Sequence, residues 1–229
     1  MAETAHQGEQ QTAIVTGAGS GIGREIAVQL ADLGWRGVAI ARSEDTLAEL
    51  AEQTPGIEPR PADLTEFPHD GLIPERVDAL VHAAAISPVG RVEEATSEEW
   101  SYAFALNVTA GAELARLALP ALRESRGTIV LLNSGAGFVE VPRNALYGAT
   151  KHALRALANS LRAEVEHDGV RVTSIFPGPV DTPLFTGDVD RAELIRPATV
   201  ARAVIDAITA SEDTQLTEIR VRPRRELSW

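Results

Sequence analysis

Two residues four positions apart carry the first chemical signal in this sequence. Tyr147 opens the run Tyr147-Gly148-Ala149-Thr150-Lys151, and Lys151 is the single lysine in a chain with 20 arginines. A chain that meets nearly every need for positive charge with Arg has little use for Lys on its surface. Lys offers a compact ammonium that can lose its proton and tune a neighbour, a job guanidinium does poorly. On a helix, positions i and i+4 share a face with Cβ atoms about 5–6 Å apart, so both side chains can act on one bound molecule. A phenol ordinarily ionises near pH ~10, and an adjacent ammonium lowers that value. The pair suits proton exchange. Taken alone, a solitary Lys on a solvated face explains the residue equally well.

A second signal lies near the start. The apolar run 13–16 ends in Thr16-Gly17-Ala18-Gly19-Ser20-Gly21-Ile22-Gly23, after which Ile22, Ile26, Leu30 and Leu33 recur at near-helical spacing. Strand, glycine turn and helix in that order let a diphosphate approach the backbone at a helix N-terminus, which attracts negative charge. The spacing is not GxGxxG, since Ile stands at 22 and Arg at 24, and no Gly-Lys pair makes it a Walker A loop. A ligand-free connecting turn is the plain alternative.

The elements that must position these residues alternate along the chain. Strands are expected at 13–16, 37–41, 77–83, 128–133, 171–176 and 217–222, with a proline-weakened edge strand at 59–63. Helices are expected from Ile22 onward and at 43–53, 97–119, 144–166 and 197–210. This alternation implies right-handed βαβ units, and hence a single-domain α/β Rossmann-like fold: a doubly wound parallel sheet with helices on both faces. Ligands bind beyond the carboxyl ends of such strands. The expected organisation is a flexible tail at 1–10, one domain over 11–229, and a short substrate loop at about 183–197.

Composition narrows the classes further. At 229 residues and 44% hydrophobic the chain can build a sizeable core. A net charge of -12 argues against nucleic acid or an anionic membrane as partner. Without Cys there is no disulfide, thiolate catalysis or Cys-ligated metal, and no other residue set suggests a metal site. The polar first ten residues lack the apolar run of a signal peptide, and a cytoplasmic protein is expected.

TGxxxGxG after the first strand, with YxxxK well downstream, resembles the short-chain dehydrogenase/reductase family, and the likeness runs from about Gln11 to Arg222. The resemblance implies hydride exchange between a nicotinamide dinucleotide and a carbonyl or secondary alcohol. By position, Ser134 (thirteen residues before Tyr147) and Asn107 (in Leu106-Asn107-Val108) join Tyr147 and Lys151 as the catalytic set. Tyr147 would exchange the proton and Ser134 would orient the substrate oxygen. Lys151 would hold the nicotinamide ribose and tune Tyr147, and Asn107 would support a water-linked proton path.

Cofactor contacts implied by the same likeness fall on Gly17, Ser20, Gly21, Ile22, Gly23, Asp63, Leu64, Ala84, Tyr147, Lys151, Pro177, Gly178, Val180 and Thr182. Where NAD-using members carry Asp after the second strand, this chain has Ala41 followed by Arg42. Loss of the acid and gain of a bidentate fork favour NADP(H). NAD(H) use stays open, because Ser20 stands where some members carry a basic residue, and Arg42 as a solvated helix-start residue is the plain alternative. Ser87, Ala136, Phe138, Asn144, Leu184 and Phe185 are the substrate-pocket candidates, a moderately apolar set.

One segment departs from the family. Where the family usually reads Asn-Asn-Ala-Gly or His-Asn-Ala-Gly, this chain has His82-Ala83-Ala84-Ala85. Ala83 removes an amide that would tie neighbouring strands, Ala85 adds a methyl near the cofactor, and His82 reads as structural. That departure leaves a second reading, a catalytically silent dinucleotide-binding sensor on the same fold. The arginines 220, 222, 224 and 225 read as a solvated strand and tail. Small residues Gly148, Ala149, Ala153 and Ala156, with the family's habits, suggest a homodimer or homotetramer.

Overall fold

Ala13 and Val15 pack on one side of the first strand and Ile14 on the other, in two separate apolar clusters. That period of two, with all five residues of the strand buried, is what a central strand covered on both faces requires. The computed structural model describes residues 10–225 apart from 68, 70 and 188. The expected tail therefore lies outside the described residues except for Gln10, whose amide donates to the Gly34 carbonyl at 2.9 Å.

Seven parallel strands form one sheet: β1 (Thr12–Thr16), β2 (Arg36–Ala41), β3 (Ile57–Pro61), β4 (Ala79–His82), β5 (Thr128–Leu132), β6 (Arg171–Pro177) and β7 (Glu218–Val221), in the order β3-β2-β1-β4-β5-β6-β7. Strand order reverses between β1 and β4, which opens a crevice at their carboxyl ends. On one face lie α1 (Gly21–Asp32), α2 (Glu44–Gln53) and α6 (Pro197–Ile208), contributing Ile26, Leu30, Leu47, Leu50 and Val204 to the core. The other face is covered by α4 (Ala110–Ser125) and α5 (Ala145–Val165), through Leu114, Leu122, Leu154 and Leu161. A short helix α3 (Ser97–Phe104) leads into α4 through a π-helical turn at Ala105–Thr109. This is the doubly wound α/β fold that the alternation predicts. No helix among the described residues is long and apolar enough to cross a membrane.

Three boundaries differ from expectation for physical reasons. The edge strand sits at 57–61 rather than 59–63. Ala62 donates to the Ala41 carbonyl, so even-numbered residues bond β2, and the nitrogens of Pro59 and Pro61 face the open edge. A missing N–H is harmless there and blunts the edge against pairing with another chain. The helix expected to end at Leu119 continues to Ser125, because Pro120 is exposed and water can satisfy the carbonyl it leaves without a donor. Strand β4 begins at Ala79 rather than Val77; Asp78 instead accepts from the Thr12 backbone N–H at 2.8 Å and from Arg76.

The glycine turn is fixed by close packing at two positions. Gly17 has φ +68°, and a Cβ there would meet the Ala84 nitrogen at 2.9 Å. At Gly23 an added Cβ would meet the Gly17 carbonyl oxygen at 2.4 Å, so α1 packs against the turn only because no side chain intervenes. Gly23→Ala is accordingly expected to destabilise the protein by about 1–3 kcal/mol. A thermal melt should show this as a Tm lower by roughly 3–10 °C.

Candidate active site

Strand β5 ends in two polar residues whose backbone is turned by a short 3-10 segment, Gly135–Gly137. Ser134 is thereby presented at the carboxyl end of the sheet, and its Oγ accepts from the Ala136 N–H at 3.2 Å. Tyr147 and Lys151 project from the first turns of α5, both buried. The Lys151 Nζ lies 5.4 Å from the Tyr147 ring centroid and donates to the Leu132 carbonyl of β5 at 2.8 Å. Three residues far apart in sequence thus meet in one buried cluster.

Burial dominates the electrostatics of this cluster. It pushes the Tyr147 phenol up to about 12, with the neighbouring Ser134 hydroxyl acting in the opposite sense. It pushes the Lys151 ammonium down to about 7, with no acid acting to hold the charge. A protonated phenol beside an amine that titrates near neutrality is an arrangement for moving one proton. A tyrosinate formed at 147 would have the ammonium to face it, and each ion favours the other.

Asn133 is a residue that the sequence reading missed. Its Nδ2 donates to the Lys151 carbonyl at 3.1 Å while its Oδ1 accepts from the Ser134 N–H at 2.9 Å, so one buried amide joins both backbones. Gly137 makes room for it: a Cβ there would come within 2.5 Å of that Oδ1. A polar residue closing an apolar strand was the available signal.

Asn107 sits in the π-helical turn with its side chain fully committed. Oδ1 accepts from the Ile86 N–H at 2.9 Å, and Nδ2 donates to the Ile86 carbonyl at 2.9 Å and to Thr150 Oγ1 at 3.0 Å. The amide therefore clamps the loop after β4 to the π turn and to α5.

The departing segment after β4 is held firmly. Thr16 Oγ1 accepts from the N–H groups of Ala83 and Ala84, each at 3.0 Å. Its lone pairs are thus used, so its proton goes to Nδ1 of His82 at 3.1 Å, which places the imidazole proton on Nε2. His82 is buried, and burial, then the charge of Lys151, holds it down to about 4, so it stays neutral. Its Nε2 faces the Leu106 and Asn107 carbonyls without reaching a hydrogen bond. A cross-strand tie therefore runs through His82, next to Ala83, which carries no side-chain amide.

At the other end of the crevice, Ser20 begins α1 without capping it, whereas Ser43 begins α2 and accepts from the Thr46 N–H. The uncapped N-terminus, with the glycine cradle before it, suits a diphosphate. Thr182 closes this cradle from the β6 side: its Cγ2 lies 3.1 Å from where a Cβ on Gly21 would stand. Val180 is buried and bridges Ile195, while Gly178 donates to the Val221 carbonyl at 2.8 Å. Asp63 accepts from the Thr65 N–H and hydroxyl, which hold its carboxyl below the usual range, and Leu64 beside it is buried. Ile22 and Ala84 flank the same turn. Arg42 follows β2 and is exposed.

Of the pocket candidates, Ala136 is buried beside Ser134, and Asn144 has a buried Oδ1 without a partner. Ser87 follows the clamped Ile86, and Leu184 (41% exposed) and Phe185 lie in the loop after β6. Phe138, also among the candidates, stacks with neighbouring side chains. It packs on Phe176 with centroids 4.2 Å apart, and the guanidiniums of Arg155 and Arg220 lie 3.8 and 3.7 Å from its centroid. Arg220 is therefore a stacking residue, not only a solvated one.

An open parallel sheet with a glycine cradle at its switch point defines a dinucleotide-binding α/β protein, and the Ser134–Tyr147–Lys151 cluster adds proton chemistry beside that crevice. The sequence matches the family described as short chain dehydrogenase over residues 11–192. The chain belongs to the short-chain dehydrogenase family and is an oxidoreductase acting on CH–OH or C=O groups with a nicotinamide dinucleotide. An uncharacterised oxidoreductase of Staphylococcus epidermidis is 34% identical over 226 residues, 94% of this chain and 98% of that protein. A metagenomic short-chain oxidoreductase solved in complex with NADP is 30% identical, with a TM-score of 0.79 over 94% of this chain and 98% of the other. An oxidoreductase of the same family from Burkholderia thailandensis is 27% identical, with a TM-score of 0.85 over 93% of this chain and 92% of the other.

Proposed function

We propose that this enzyme interconverts a carbonyl and a secondary alcohol with NADP(H), using Tyr147 as the acid and base. The observation that carries the reading is the buried cluster of Ser134, Tyr147 and Lys151 at the mouth of the dinucleotide crevice. The nicotinamide supplies or accepts the hydride. Reduction leaves negative charge on the substrate oxygen, which needs a proton and a positioned donor. Tyr147 delivers the proton, and Ser134 hydrogen-bonds the oxygen and fixes its direction. As Tyr147 gives its proton to the substrate oxygen, the Lys151 ammonium stabilises the tyrosinate left behind, which regains a proton from solvent. Lys151 also holds the ribose end of the cofactor. Asn107 keeps the loop after β4 in register with α5.

NADP(H) over NAD(H) is supported by Ala41 and Arg42 at the end of β2, where no carboxylate stands to repel a phosphate. The metagenomic relative bound to NADP agrees with this choice. Arg42→Ala is expected to weaken NADPH binding roughly tenfold or more, with NADH binding little changed; fluorescence titration of both cofactors checks this. Equal affinities in the wild type would remove the NADP(H) assignment and leave the chemistry standing.

The loop 183–197 covers the substrate in this reading, and the exposed Leu184 with Phe185 supports a moderately apolar ligand. We also assign the protein to the cytoplasm, as an assembly of two or four copies. Gly148, Ala149, Ala153 and Ala156 on α5, none of them fully buried, support close packing between copies. Sedimentation at micromolar concentration as a monomer would contradict the assembly.

A further inference from the structure

Arg42 is held in place without being neutralised. One of its terminal N–H groups donates to the Tyr102 hydroxyl at 2.9 Å, and it makes no ion pair among the described residues. Other arginines are matched to acids: Arg24 to Glu49, Arg36 to Glu58 and Arg155 to Glu218. Asp63, the acid whose field reaches Arg42, has its Oδ1 occupied by Thr65. A guanidinium with one donor used keeps four for a ligand.

Tyr102 lies on α3, sixty residues away in sequence and half-buried. It lines a shallow, open depression of about 440 Å³ together with Thr65, Ser97, Glu98, Ser101 and Ala105. Thr65 belongs to the Asp63 turn after β3, so this depression adjoins the end of the crevice where Arg42 stands. A phenol oxygen that accepts from guanidinium still carries its own proton. The Tyr102 O–H has no acceptor among the described residues. A carboxylate in its place would orient Arg42 equally well but cancel its charge. Tyrosine orients the fork, leaves the charge intact and adds a neutral donor.

We propose that Tyr102 is the second arm of the site that selects a 2′-phosphorylated dinucleotide, fixing Arg42 and donating its O–H to the same phosphate. This rests on the NADP(H) reading. Binding of adenosine 2′,5′-bisphosphate and of ADP, measured by calorimetry, tests it without any turnover. Wild type is expected to prefer the bisphosphate, and Arg42→Ala to lose that preference. Tyr102→Phe, which keeps the ring, should reduce the preference roughly fivefold to tenfold by weakening the bisphosphate alone. A preference unchanged in Tyr102→Phe overturns the assignment of Tyr102 and leaves the NADP(H) reading intact. Equal weakening of both ligands also overturns it, since that would mark a packing role. A wild type with no preference overturns the NADP(H) reading and this inference with it.

Discussion

Tyr147→Phe is expected to lower turnover by roughly 10³–10⁴-fold while the protein still binds its cofactor. Tyr147 is buried on α5, and removing its hydroxyl leaves the packing of the ring in place. What disappears is the proton donor to the substrate oxygen, and no other acid among the cluster can replace it. Ser134 is a hydroxyl with no mechanism to ionise, and His82 is buried, neutral and tied to Thr16. Lys151 points its Nζ to the Leu132 carbonyl. Steady-state rates beside a cofactor titration separate the two effects, and a rate loss matched by an equal loss of cofactor affinity would argue against a chemical role for the phenol.

Lys151→Met should abolish useful turnover and make the protein more stable. The ammonium is buried, and its folded pKa is pushed down to about 7 from the ordinary 10.5. Between those values the unfolded chain binds the proton that the folded chain releases, so stability rises with pH across that window. Below about 7 both states are protonated, and the full burial penalty weighs on the fold. Methionine carries no such penalty. The variant should therefore gain about 2–4 kcal/mol near neutral pH, a Tm rise of roughly 5–10 °C. That gain should shrink as the pH approaches 10.5. A Tm that falls at neutral pH would mean that Lys151 is stabilised by its surroundings, contrary to this account.

Much of the fold was legible because its signals are local. Apolar runs ending in glycine or a polar residue mark β1 and β5, and the i, i+4 spacing of Tyr147 and Lys151 reads directly on one helix. The glycine turn could be read because its spacing after an apolar run is itself local, although the atoms that crowd Gly17 and Gly21, on Ala84 and Thr182, lie far along the chain. What could not be read depends on partners brought together only by the sheet. Asn133 joins Ser134 to the Lys151 carbonyl, eighteen residues on. His82 meets Thr16 across 66 residues, a cross-strand tie beside Ala83 that no local signal announces. That the Phe138 ring meets Arg155 and Arg220 could not be read either, since those partners come together only through the fold. The π turn at Asn107 has no signature in the periodicity, and the edge orientation of Pro59 and Pro61 follows only from register. Local chemistry was readable; the second layer of contacts that orients it was not.

The most direct test of the central claim is NADPH oxidation by wild type and Tyr147→Phe over a mixed panel of ketones, aldehydes and quinones. The wild type is expected to oxidise NADPH with at least one carbonyl class, in preference to NADH, and Tyr147→Phe is expected to lose that activity. Cofactor binding without oxidation across the whole panel, or a Tyr147→Phe variant as active as wild type, would contradict it.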